Sequence, residues 1–168
     1  GVLVNTVDGK IYVTCGSFET VLGFKPKTPW YYEKRWNGRH IKFYGEVVGM
    51  ALHPNTTILV VDSRNGYIHQ HKQDGVRLRT MGEGHLTKPQ DIACDKFGRI
   101  YVTDEQECNV AVFDEHGDLL LKFGSRGENP GQFMNPLGIV VDPKCHVFVA
   151  DHYNDRIGVF TPDGQLLH

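Results

Sequence analysis

The sequence has no apolar run of the length needed to cross a bilayer as a helix. It shows no signal-peptide pattern and no initiating Met; it opens at Gly1 inside an apolar stretch, which reads as a processed product or an excised piece. Cysteine is sparse: four in 168 residues, Cys15, Cys94, Cys108 and Cys145, spaced 79, 14 and 37 apart. No Cys-x-x-Cys occurs, which argues against a zinc knuckle, and so thin a scatter is no disulfide framework for a core of this size; free thiols are expected. An excess of one charge is also missing. Lys and Arg number 18 against 20 Asp and Glu, a net charge of −2, so the chain as a whole is not built to condense on nucleic acid or an anionic membrane. No segment sustains a helical period, no glycine-rich phosphate loop is present, and no spacing singles out a Ser-His-Asp set.

What is present is ordinary globular composition, 40% hydrophobic and 23% charged, at a length that suits one domain with one sizeable core. It is also a repeat. "VTDEQECNVAVFDEHGDLL" and "VADHYNDRIGVFTPDGQLL" follow one pattern. Anchored on the residue that ends the second apolar run, the copies place Cys15, Asp62, Asp104 and Asp151 in register, 47, 42 and 47 residues apart. Six positions on stand Val21, Ile68, Val110 and Ile157; nine on, Phe24, His71, Phe113 and Phe160; twelve before, Leu3, Met50, Ile92 and Ile139. Runs such as "IYVT", "ILVVD" and "HVFVAD" have the β-branched and aromatic bias of strands. Turn pairs such as Asp8-Gly9, Asp74-Gly75, His116-Gly117 and Asp163-Gly164 separate them. Four short strands per copy, in the last copy about 137–141, 146–150, 156–160 and 165–168, at a spacing of 42 to 47 residues, predict an all-β fold of propeller blades. Blades are expected at about 1–45, 46–87, 88–134 and 135–168, in a single domain over 1–168.

The last copy, "NPLGIVVDPKCHVFVADHYNDRIGVF", closely resembles an NHL repeat through Pro136, Gly138, Asp142, Asp151, Asn154, Arg156, Ile157 and Phe160. "GSRGENPGQF", residues 124–133, is similar to that family's inter-blade linker. The match weakens toward the first copy, which has Cys15 for the Asp and no Arg. The chain is most similar to the NHL region of tripartite-motif (TRIM-NHL) proteins, where that region follows RING, B-box and coiled-coil parts. None of these parts is in this sequence, so ligase activity is not implied. The resemblance implies a propeller, usually of six blades. Four blades leave three arrangements: closure on themselves, part of a larger ring, or a ring completed by a second chain. Closure as a compact four-bladed propeller is the favoured expectation.

Constant positions serve packing, while the variable loops after the second strands converge on one face, where a rigid scaffold presents binding residues. The ligand-binding candidates are therefore Ser63, Arg64, Asn65 and Tyr67 in the second copy, Glu105, Gln106, Glu107 and Asn109 in the third, and His152, Tyr153, Asn154, Asp155 and Arg156 in the last. Asn154 and Arg156 are repeat-signature residues with a structural role available, tying blades together, and Asp62, Asp104 and Asp151 are expected to accept hydrogen bonds from neighbouring strands.

A second candidate surface is "FKPKTPWYYEKRWNGRHIKFY", residues 24–44, where six cations face one Glu among interleaved rings. Trp30, Tyr31, Lys34, Arg35, Trp36 and Arg39 suit a single-stranded nucleic acid, since cations neutralise phosphates and rings stack bases. The alternative there is an outer strand and linker whose aromatics pack on the sheet. Rings beside amides and carboxylates, as at Tyr153, Asn154 and Asp155 or at Trp30 and Trp36, also suit sugars. His69 and His71 lie two apart on one strand; an NHL-like peptidyl-hydroxyglycine lyase uses zinc, but its ligands find no residue-by-residue match here, and an exposed polar strand face is expected instead. Asn55-Thr56-Thr57 is a glycosylation sequon where the other copies have a turn.

The expectation is a non-enzymatic binding module without cofactor or metal, cytoplasmic, with a protein or RNA partner, no membrane association and homo-oligomerisation open. A secreted lectin with repeated glycan sites is the alternative, and a zinc-dependent lyase a distant one.

Overall fold

In the computed structural model, which describes residues 2–4, 11–15, 20–24 and 45–168, every long element is a strand. Four antiparallel sheets follow one another along the chain. Blade 1 holds β1 (Val2–Val4), β2 (Ile11–Cys15) and β3 (Thr20–Phe24). Blade 2 holds β4 (Val47–Leu52), β5 (Ile58–Asp62), β6 (Tyr67–His71) and β7 (Arg77–Met81). Blade 3 holds β8 (Pro89–Cys94), β9 (Ile100–Asp104), β10 (Asn109–Phe113) and β11 (Leu119–Phe123). Blade 4 holds β12 (Pro136–Val141), β13 (Val147–Asp151) and β14 (Arg156–Phe160). Each strand pairs with its sequence neighbour, so each sheet is a meander.

The expected fourth strand of blade 4, 165–168, is reduced to a bridge between Phe160 and Leu166, with Val159 exchanging backbone bonds with Leu167 and His168. Among the described residues no helix is long and apolar enough to cross a membrane. Cys94, Cys108 and Cys145 are free thiols.

Turn chemistry sets the registers. Asp95 Oδ1 accepts from the backbone N–H of Phe97 and Arg99, and Asp142 Oδ1 from those of Lys144 and His146, at 2.8–3.0 Å. Such Asx turns reverse the chain between first and second strands without spending sheet hydrogen bonds. At the opposite end, the fourth residue after each anchor Asp turns left-handed: Gly66 at φ 68°, Cys108 at 53° and Asp155 at 50°. Only glycine takes this conformation freely; the other two are held in it by their loops.

Packing between blades explains the sequence pattern. β5 (ILVVD) and β9 (IYVTD) are buried at all five positions, because a blade lies against each face. Leu59, Val61 and Ile68 of blade 2 join Ile92, Ile100, Val102, Ala111 and Phe113 of blade 3, with Leu86 from the linker between them. Tyr101, Val110 and Val112 on the next flank meet Ile139, Val147, Val149 and Phe160 of blade 4, with linker Phe133. Burying one such side chain is worth roughly 1.5–3 kcal/mol.

β13 (VFVAD) departs from this pattern: Ala150 is exposed and Phe148 half-buried. On the same flank Val140 is 62% and Ile157 66% exposed, while their repeat equivalents Ala93 and Val110 are 8% and 0%. Among the described residues the four blades therefore do not close on themselves, contrary to the expectation from sequence. Closure needs this flank pressed against blade 1, and it faces solvent instead. Inner strands touch in series, β1 and β2 with β4, β4 with β8 and β8 with β12, which describes an arc.

Candidate functional site

The ends of the second strands and the starts of the first strands share one face, because an even number of strands per blade returns the chain to the side it left. On this face each anchor Asp is buried and organises two segments at once. Asp62 accepts from the N–H of Glu46 at 3.2 Å and of Asn65 at 3.1 Å, and from Asn65 Nδ2 at 2.8 Å. Asp104 accepts from the N–H of Thr87 at 2.6 Å and of Lys88, Gln106 and Glu107 at 3.1 Å. Asp151 accepts from Met134 N–H at 2.6 Å, Asn154 Nδ2 at 2.7 Å and Arg156 Nε at 3.0 Å. These carboxylates hold each loop against the strand entering the same blade through charge-assisted hydrogen bonds.

The thirteen loop candidates divide accordingly. Asn154 Nδ2 also donates to Gly127 O at 3.0 Å, and the Arg156 guanidinium donates to Glu128 O, Asn129 O and Gln132 O at 2.7–3.0 Å. Both side chains clamp the 124–135 linker and turn inward. Asn65 is committed to Asp62, and Ser63 is buried. Tyr67 and Asn109 lie in strands β6 and β10, half-buried, and Asn109 Oδ1 is buried without a hydrogen-bond partner. Arg64, Gln106, Glu107, His152, Tyr153 and Asp155 are exposed.

What the fold brings together is a cleft of about 250 Å³ between blades 3 and 4, lined by Lys88, Glu105, Gln106, Arg126, Asn135 and Tyr153. Lys88 Nζ donates to Glu105 at 2.9–3.0 Å, and that hydrogen bond and charge raise the lysine pKa. Gln90 Nε2 bridges Glu105 Oε2 at 2.8 Å and Ser63 Oγ at 3.4 Å, joining the loops of blades 2 and 3. Arg126 donates to Gln106 O at 3.1 Å. Tyr153 is 67% exposed, with the His152 ring 4.9 Å from its own. Lys88, Arg126 and Asn135 were not singled out in the sequence. They sit in the linkers, and the even strand count is the signal that places linkers on the same face as the loops.

Outside the buried anchors and the Arg156 clamp, the described part of this face carries Glu46, Glu83, Glu105, Glu107, Glu128 and Asp155 against Arg64, Lys88 and Arg126. It is mixed in sign and acidic on balance.

The second candidate surface, Trp30, Tyr31, Lys34, Arg35, Trp36 and Arg39, lies outside the described residues. His69 and His71 are buried, not on an exposed polar face as expected, with ring centroids 6.3 Å apart. His69 Nε2 lies 3.6 Å from Asp62 Oδ2, and burial lowers both histidine pKa values, that of His71 to about 4. Among the described residues no group of three or more His, Cys, Asp or Glu is arranged to hold a metal ion. Asn55 is exposed in its turn, its Oδ1 accepting from the N–H of Thr57 at 3.1 Å and from Thr57 Oγ1 at 2.5 Å.

A family model described as "6-bladed beta-propeller" matches residues 74–167. The human E3 ubiquitin-protein ligase NHLRC1 is 33% identical over 86 residues, covering 51% of this chain and 22% of that protein. Protein wech of Drosophila melanogaster is 46% identical over 48 residues, 29% of this chain and 6% of that protein. Among solved structures, virginiamycin B lyase from Staphylococcus aureus superposes with a TM-score of 0.77 over 99% of this chain and 53% of that one, at 16% identity, a likeness of fold alone. The chain thus spans about a fifth of the length of its human relative and about half of the lyase.

Proposed function

The chain belongs to the 6-bladed β-propeller family, with blades of the NHL type, and from that premise we propose that it is a non-enzymatic binding module that holds a protein partner on its loop face. The observation that carries this reading is the cleft between blades 3 and 4, where an exposed Tyr153 stands beside Arg126 and the Lys88–Glu105 pair. Tyrosine and arginine are residue types enriched at the energetic centres of protein interfaces. The acidic balance of the face disfavours a polyphosphate chain and suits a partner of mixed charge. Similarity to a human E3 ubiquitin-protein ligase supports the same class of partner. Three free, mostly buried thiols support a reducing, cytoplasmic setting. The fold likeness to a lyase transfers no activity.

The test is proximity labelling by the wild type, by Tyr153→Ala/Arg126→Glu, and by Phe97→Ala on the opposite face. Partners lost from the double variant and kept by Phe97→Ala support the reading; identical sets from all three overturn it.

A second reading, single-stranded RNA, is favoured by the six cations and interleaved rings of residues 24–44. It requires retention of RNA that weakens steeply with salt and is lost when Lys34, Arg35 and Arg39 are removed. The glycan reading is less supported, because the Asn154 amide donates inward.

A further inference from the structure

We infer that the cleft between blades 3 and 4 receives a single Asp or Glu side chain of the partner, set among basic or neutral residues. This rests on the loop face being a protein-binding face and specifies what that face reads.

The cleft is a positive notch in a face that is acidic on balance. Lys88 is already matched by Glu105 at 2.9 Å. Arg126 is not. Its Nη2 donates to the neutral carbonyl of Gln106 at 3.1 Å, and among the described residues no carboxylate pairs with it. One cationic charge is therefore left over among the lining groups, beside the exposed ring of Tyr153 and the amides of Gln106 and Asn135. That surplus selects the ligand. One cation matches one carboxylate, and a guanidinium presents its N–H groups in a planar fork that fits it. A phosphate dianion would bring a second negative charge beside Glu105. Exposed Glu107 and Glu128, each within two residues of the lining, repel a run of acids. The same two carboxylates suit a Lys or Arg on either side of the bound acid.

The donors are positioned before anything binds. Arg126 pairs with Phe133 in a parallel bridge, flanked by Phe133 N–H to Ser125 O at 2.8 Å and Gly127 N–H to Phe133 O at 3.0 Å, and Phe133 itself is buried. Tyr153 N–H donates to Met134 O of the same linker at 3.0 Å. Lys88 N–H donates to Asp104 Oδ1 at 3.1 Å. Three separate backbone segments are thus fixed around the cleft, so little backbone order remains to be gained on binding.

The test is selection from a random peptide library, displayed inside a carrier chain so that no free terminus is offered. The baits are the 168-residue protein, Arg126→Glu, Arg126→Gln, and Lys96→Glu on the opposite face. Wild type and Lys96→Glu are expected to enrich peptides with one Asp or Glu at a fixed position and Lys or Arg near it. Arg126→Glu should enrich Lys or Arg at that position instead, and Arg126→Gln should lose the acid without inverting it. In the wild-type peptide, replacing the acid by its amide should weaken Kd at least about ten-fold. A motif without an acid, an acidic motif that Arg126→Glu leaves unchanged, or enrichment no greater than on an unrelated protein overturns the inference. A non-acidic motif that Tyr153→Ala abolishes overturns it while leaving the loop-face reading in place; that reading falls only with identical proximity-labelled sets.

Discussion

Arg156 closes on Asp151: its Nε donates to Oδ2 at 3.0 Å while its two terminal nitrogens hold the carbonyls of Glu128, Asn129 and Gln132. One planar fork thus ties the end of β13 to the incoming linker. Arg156→Ala strips the buried Asp151 of a charged donor and releases three carbonyls, so it is expected to cost about 2–4 kcal/mol in urea unfolding. Arg156→Lys should recover only a small part, because a point charge cannot reproduce the fork.

His71 occupies the position that Phe113 and Phe160 hold in blades 3 and 4. Burial lowers its pKa from 6.5 to about 4, and that of His69 also falls. A folded value below the unfolded one means that the neutral form is favoured by folding. The contribution is complete above pH 6.5 and is lost as pH falls toward about 4. His71→Phe should flatten this acid limb in thermal melts and leave the part due to His69.

Asp91 stands where blades 2 and 4 have Gly49 and Gly138, and its Oδ2 accepts from Ile139 N–H at 3.2 Å. Burial raises its pKa. A raised folded value makes the contribution of this group favourable at acid pH and lost as pH climbs through that value. Asp91→Asn keeps the acceptor and removes the buried charge. It should stabilise the protein at neutral pH, with the gain vanishing in acid, as measured by melts across pH. Gly49→Ala sets a Cβ 2.7 Å from the Asp91 backbone and should cost about 1–3 kcal/mol.

Tyr153→Ala removes an exposed ring from the cleft and should leave stability within about 0.5 kcal/mol of wild type. Loss of partner binding at unchanged melting temperature is the expected outcome.

Much of the fold was legible because each blade writes the same packing positions: Ile68, Val110 and Ile157 align without gaps, as do the anchor Asp residues. The arc was not legible. Ile157 is the same residue type whether or not a blade covers it, and exposure depends on a neighbour that the local pattern does not describe. The loop candidates were only partly informative, since variability alone cannot separate Asn154, drawn inward by Asp151, from Tyr153 beside it, left in solvent. Lys88 and Arg126 were missed because they belong to linkers whose meeting across the 3–4 joint is a property of the assembled sheets. His71 reads as a polar interruption in sequence and is a buried substitute for phenylalanine.

The left-handed turn four residues past each anchor has an engineering consequence. Gly66, Cys108 and Asp155 reach the same left-handed backbone with unlike side chains, so the turn goes with its place after the anchor and not with one residue type. A library confined to exposed positions such as Gln106 and Glu107, whose backbone N–H groups Asp104 holds, should vary recognition on a frame that keeps Cys108 buried.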